Sequence, residues 1–104
     1  MAKAEILSGN CGFHTVVETT MNGKTCQIRI QSECKAIQKL AQNLTEVNPF
    51  QEISFRKQTP LILQKGAEYC THAACPVPVG IIKAVEIEAG LALPTDVVIK
   101  LSKT

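Results

Sequence analysis

The tightest constraint on this chain is the stretch Met21-Asn22-Gly23-Lys24 together with what flanks it. Asn-Gly readily supplies the two positive φ angles of a type I′ turn, and such turns join antiparallel strands whose twist they match. On one side, Phe13 to Thr20 is rich in β-branched residues, which favour extended backbone. On the other, Thr25 to Gln31 alternates Cys26, Ile28 and Ile30 with Gln27, Arg29 and Gln31, the period of a strand with one face buried. A β-hairpin is therefore expected, with Ile6 and Leu7 adding a short strand before it.

Beyond the hairpin the period becomes helical. Ile37, Leu40, Ala41 and Leu44 form one apolar stripe, which predicts a helix from Cys34 to Leu44 with Ser32 as its cap and Asn48-Pro49 as its stop. Phe50 to Lys57 reads as a short helix or turn. Thr59-Pro60 is a capping residue followed by Pro at the first helical position, so a second helix should run toward Tyr69. A third is expected from Pro78 to Ala89, closed by Gly90, with Val79, Ile82, Val85 and Ala89 on one face and Ile81 widening it. Leu93-Pro94-Thr95 then turns the chain into a last strand, Asp96 to Ser102, where Val97, Ile99 and Leu101 share a side. The predicted architecture is α+β: a small, mainly antiparallel sheet made of the N-terminal hairpin plus this C-terminal strand. Two or three helices pack on one face, all within a single domain spanning residues 1–104. The last strand is expected at the edge of the hairpin or between its strands.

Composition narrows the function. Aromatic residues are 4% of the chain and Trp is absent, so the core is aliphatic and the stacking platforms of single-stranded nucleic-acid binders are missing. The 11 basic and 9 acidic residues are scattered and leave a net charge of +2, so no nucleic-acid partner is expected. No apolar run reaches membrane-spanning length, and no membrane association is expected. Glu5 stands where a secretory leader would need an apolar stretch, which makes the expected location cytoplasmic. A protein partner or a homodimer, formed through a sheet edge or the last helix, stays open.

That location gives weight to the five cysteines. In a reducing compartment such density points to metal binding or thiol chemistry more than to disulfides. Cys70, His72 and Cys75 place three soft or borderline ligands on one loop. Cys75 comes just before a predicted helix N-terminus, and Cys34 stands at another; helix N-termini favour the thiolate, the form that binds metals and attacks electrophiles. Cys11 lies in the turn Asn10-Cys11-Gly12 leading into the hairpin. Cys26 has the strand parity of Ile28 and Ile30 and reads as core. Cys11, Cys34, Cys70 and Cys75, with help from His72, thus form a candidate metal set, suited to zinc or an iron–sulfur cluster. Two other readings stand beside it. In one, Cys75 is a reactive thiol, with His14 or His72 as a conceivable base; in the other, the cysteines only pack in a structural or interaction module. The six glycines are dispersed and form no phosphate loop, and no carboxylate pair is placed for acid–base work.

Two resemblances attach to these residues. His72-Ala73-Ala74-Cys75-Pro76-Val77-Pro78, with Cys11-Gly12-Phe13 and Gly90-Leu91-Ala92-Leu93-Pro94, resembles a family of small uncharacterised proteins of anaerobic bacteria and archaea. That likeness implies a domain of unknown function. Cys75-Pro76-Val77-Pro78 before an apolar helix is similar to the Cys-Pro-x-Pro motif of TusA-type sulfur carriers, which implies Cys75 as a persulfide carrier. In that family the motif follows the first strand, whereas here it comes three-quarters of the way along the chain.

Overall fold

In the computed structural model, which describes all 104 residues, the chain opens with three antiparallel strands: β1 (Ala2–Leu7), β2 (His14–Asn22) and β3 (Thr25–Ser32). The hairpin is the one expected, but its loop is Gly23-Lys24, one residue later than predicted, with Asn22 paired to Thr25. Gly23 has φ 66° and no residue other than glycine has a positive φ, so the loop follows the II′ pattern, with Gly first, and not I′. Only one position then needs the left-handed region, and glycine fills it. β4 (Glu46–Val47) adds a two-residue edge beside Cys26 and Gln27, giving the order β1-β2-β3-β4.

Four helices follow the hairpin: α1 (Lys35–Asn43), α2 (Pro49–Glu52), α3 (Leu61–Tyr69) and α4 (Val77–Glu88). They lie on one face of the sheet. α4 packs on β1 and β2, α1 on β3, and α3 between α1 and α4. Strand alternation decides the buried side: Ile6, Val17, Cys26 and Ile28 meet Ile37, Leu40, Leu44, Ile62, Ile81 and Val85 in one aliphatic core. Cys26 is fully buried there, as its parity requires. Buried Thr19 also faces the helices, and its hydroxyl donates to the Ala84 carbonyl at 3.0 Å, fixing α4 over β2.

Several local expectations need correction. Asp96 to Ser102 forms no strand; residues 91–104 have no helix or strand and are exposed throughout. Its alternation predicts a buried face, yet Val97 is 60% and Leu101 88% exposed, because nothing in the single chain covers them. On α4 the buried face is Val77, Pro78, Ile81, Ala84 and Val85, while Val79 points to solvent. That helix is apolar nearly all round, so its periodicity left the inner side ambiguous.

Helix starts also differ. Cys34, not Ser32, is the N-cap of α1, and the Ser32 hydroxyl accepts from the Cys34 N–H at 3.1 Å. Pro60, not Thr59, is the N-cap of α3, and its side chain provides no cap hydrogen bond. The buried carboxylate of Glu52 caps that helix from a distance, accepting from Leu61 N–H at 3.1 Å and Ile62 N–H at 2.7 Å. The end of α4 agrees with expectation. Gly90 has φ 75°, its N–H donates to the Ile87 carbonyl at 3.1 Å, and Leu91 N–H reaches the Glu86 carbonyl at 2.8 Å.

Candidate functional site

The topology gathers the cysteines, Cys26 excepted, at one end of the molecule. β1 ends at Leu7 opposite the start of β2, and β3 ends at Ser32 opposite Thr15. Cys11 sits in the 3-10 turn Gly9–Cys11 that bridges β1 and β2, and Cys34 stands two residues past the end of β3. α3 ends into Cys70, and α4 begins just after Cys75.

Two glycines fix the helices that carry this end. A Cβ on Gly66 of α3 would come within 2.7 Å of the Pro78 ring, so α3 and the first turn of α4 are in direct contact. A Cβ on Gly80 would overlap the side chain of Ile6, so α4 lies equally close on β1. The loop between the helices is tied at both ends. Cys70 N–H donates to the Gly66 carbonyl at 2.8 Å, and Cys75 N–H donates to the His72 carbonyl at 3.2 Å.

Cys34, Cys70 and Cys75 are half-buried, and each packs against the core cluster. Burial first, then the charge and thiol of Cys75, then Cys34, push the Cys70 thiol up to about 11. Cys70 therefore keeps its proton at neutral pH. Three thiols that are remote in sequence, except for the last two, share one neighbourhood. As they stand, no three His, Cys, Asp or Glu side chains form a group that could hold a metal ion.

The remaining candidates fall outside this cluster. Cys11 is exposed on its turn. His72 is exposed, and its ring Nδ1 lies 3.4 Å from the Thr71 hydroxyl. His14 is exposed at the start of β2. Cys26 sits apart in the core, its thiol pushed up by burial and by the charge of Glu88. The proximity of Cys34 to the Cys70–Cys75 pair could not be read from spacing. It follows from the way β3 and α4 end and begin on the same side of the sheet.

A depression of about 580 Å³ lies elsewhere, on the open outer face of the sheet. Glu18, Arg29 and Glu46 line it with both signs of charge and Thr20 and Gln27 with polar groups, so it offers no apolar pocket for a cofactor.

Fold and site together define a small α+β domain with a half-buried cluster of three free thiols. The chain belongs to DUF6951, a family of unknown function, which matches residues 2–101. No curated protein and no solved structure matches it. No helix is long and apolar enough to cross a membrane.

Proposed function

We propose that this chain holds a thiophilic metal ion or an iron–sulfur cluster at Cys34, Cys70 and Cys75, with Cys11 from the adjoining turn as fourth ligand. The observation that carries the reading is the shared neighbourhood of the three half-buried thiols, which begin or end three different helices. A cysteine that merely fills space has no reason to meet two others beside helix ends, where ligands can converge. Four thiolates suit zinc or an iron–sulfur cluster. The thiols do not stand at coordinating geometry, so loading turns each cysteine about its single side-chain bond. Binding must also displace the proton that Cys70 retains, so uptake strengthens as pH rises. His72, exposed on the loop, serves as a replaceable ligand or none.

A second reading is favoured by the contact between Cys70 and Cys75. The pair can close a disulfide by passing two electrons and two protons to an oxidised disulfide acceptor, with Cys75 as attacking thiol and Cys70 as partner. The likeness of Cys75-Pro76-Val77-Pro78 to the sulfur-carrier motif belongs with this thiol reading: Cys75 would take sulfane sulfur from a donor persulfide, which leaves as its thiol.

Anaerobic titration with cobalt(II) separates the readings. The metal reading expects intense thiolate-to-cobalt absorption at one equivalent, at least tenfold weaker binding in Cys34→Ser, Cys70→Ser and Cys75→Ser, and a smaller loss in Cys11→Ser. Absence of thiolate–cobalt absorption in the wild-type chain would overturn it. Under the second reading, mild oxidation with a small disulfide gives a Cys70–Cys75 crosslink, detected by peptide mass.

A further inference from the structure

Residues 91–104 are at odds with the rest of the molecule. They carry the alternation of a strand, yet Val97, Val98, Ile99 and Leu101 all lie between 60% and 88% exposed. The segment starts beside α4, where Ala92, Leu93 and Thr95 line a shallow depression with Lys83, Glu86 and Ile87, and from Asp96 onward it is exposed and unpaired. It is also part of what defines the family, since the match runs through residue 101. On the far side of the fold's first strand an opposite deficiency exists. β1 is the outermost strand, paired only with β2, so its second edge has backbone donors and acceptors and no strand partner.

We propose that residues 97–102 of one copy add to the β1 edge of a second copy, antiparallel to it, and that the exchange is reciprocal in a two-fold dimer. The occupant is argued from register. On β1, Ala2, Ala4 and Ile6 face the helices, and Lys3, Glu5 and Leu7 face outward. With Ile6 opposite Ile99 and Ala4 opposite Leu101, these two inward pairs are apolar, and Val97 falls opposite Ser8. The same register sets Glu5 opposite Lys100 and Leu7 opposite Val98 on the outer face. A slip of two residues in one direction instead sets Lys3 opposite Lys100, and in the other leaves Glu5 against Ser102. A slip of one residue turns Ile99 and Leu101 to solvent. The pairing thus covers exposed Leu7, buries the alternating face of the tail and sets Lys100 against an anion.

A second copy fits better than the chain's own strand. α4 ends beside Met1, whose ammonium lies 3.2 Å from Glu88, so the tail leaves from the Ala2 end of β1. Antiparallel pairing within one chain would have to begin at the Leu7 end, about 17 Å away along the strand. Residues 91 to 98 are long enough for that distance, yet the chain's own tail runs exposed beside Lys83, Glu86 and Ile87 of α4 and pairs with no strand. The β1 edge is thus left open to a second copy, and reciprocal exchange closes the assembly.

Sedimentation under reducing conditions tests this. The full chain should be a dimer. The chain ending at Thr95 should be a monomer with unchanged far-ultraviolet circular dichroism. Glu5→Lys and Lys100→Glu should each weaken association about tenfold, since the dimer contains the pair twice, and the double variant should restore it. These reversals keep the test decisive if the shortened chain misfolds. A monomeric full chain at all concentrations overturns the proposal, as does a dimer that survives loss of the tail. A monomer whose residues 97–102 are protected from hydrogen exchange also overturns it, by showing the pairing within one chain.

Discussion

Cys70 and Cys75 lie beside each other in the seven-residue loop between α3 and α4, and burial first, then Cys75, push the Cys70 thiol up to about 11. Both thiols are held there by backbone: Cys70 by its bond to the Gly66 carbonyl, and Cys75 by its bond to the His72 carbonyl. Cys34 approaches from the end of the sheet and completes the cluster.

The shifted thiol has a consequence for stability. Cys70 ionises near 9.0 when unfolded and near 11 when folded, so the unfolded metal-free chain releases its proton first as pH rises. Its contribution is fully present below 9.0 and is lost as pH climbs toward about 11. Urea melts of the metal-free protein across that window should show a falling midpoint, and the fall should be shallower in Cys70→Ser. An equal slope in both proteins would count against a raised Cys70 thiol.

The contact between α3 and α4 sets where Cys75 points. Gly66→Ala would drive a methyl group to within 2.7 Å of the rigid Pro78 ring, and the helices must separate to admit it. A loss of about 1–3 kcal/mol is expected, read as a lower urea midpoint, together with weaker cobalt binding. Unchanged stability would show that the helices are not in close contact.

Glu52 is the buried carboxylate that substitutes for a cap on α3. Glu52→Gln keeps the shape but gives up one charged acceptor for two N–H groups, and should cost about 1–3 kcal/mol. Glu52→Ala should cost more, since both N–H groups then lack the carboxylate. Thermal melts of the two variants check the order.

Glu88 ties the end of α4 to the start of the sheet. The Met21 N–H donates to it at 3.0 Å and the Met1 ammonium lies 3.2 Å away, and these hold its carboxyl below the ordinary value of 4.5. A depressed carboxylate contributes stability above its unfolded value and loses it as pH falls through the folded one. Wild type should exceed Glu88→Gln in stability at neutral pH, and the gap should close below 4.5. A gap that persists in acid would point to packing and not charge.

How far the sequence reached depended on what each signal physically encodes. The hairpin was legible because β-branched alternation and a glycine between the two runs are local signals, though the turn itself falls at Gly23-Lys24, and α3 and the Gly90 stop were legible for the same reason. β4 was not, since two residues carry no period and form only where β3 offers an edge. The Glu52 cap was hidden because its partners lie nine and ten residues away. The inner face of α4 was hidden by a helix that is apolar almost all round. The final strand was expected from alternation alone, which reports that a face wants cover but not which molecule covers it. For the site, Cys70 and Cys75 were legible as a pair, and Cys26 as core. The approach of Cys34 depends on sheet topology, and no spacing encodes it.

The most direct test of the thiol site is metal and acid-labile sulfide analysis of the full chain purified without oxygen, with its visible spectrum. The account predicts about one zinc per chain, or iron with matching sulfide and charge-transfer absorption, lost in Cys34→Ser, Cys70→Ser and Cys75→Ser. A folded, colourless protein free of zinc and iron, with those three variants indistinguishable from wild type, would contradict it.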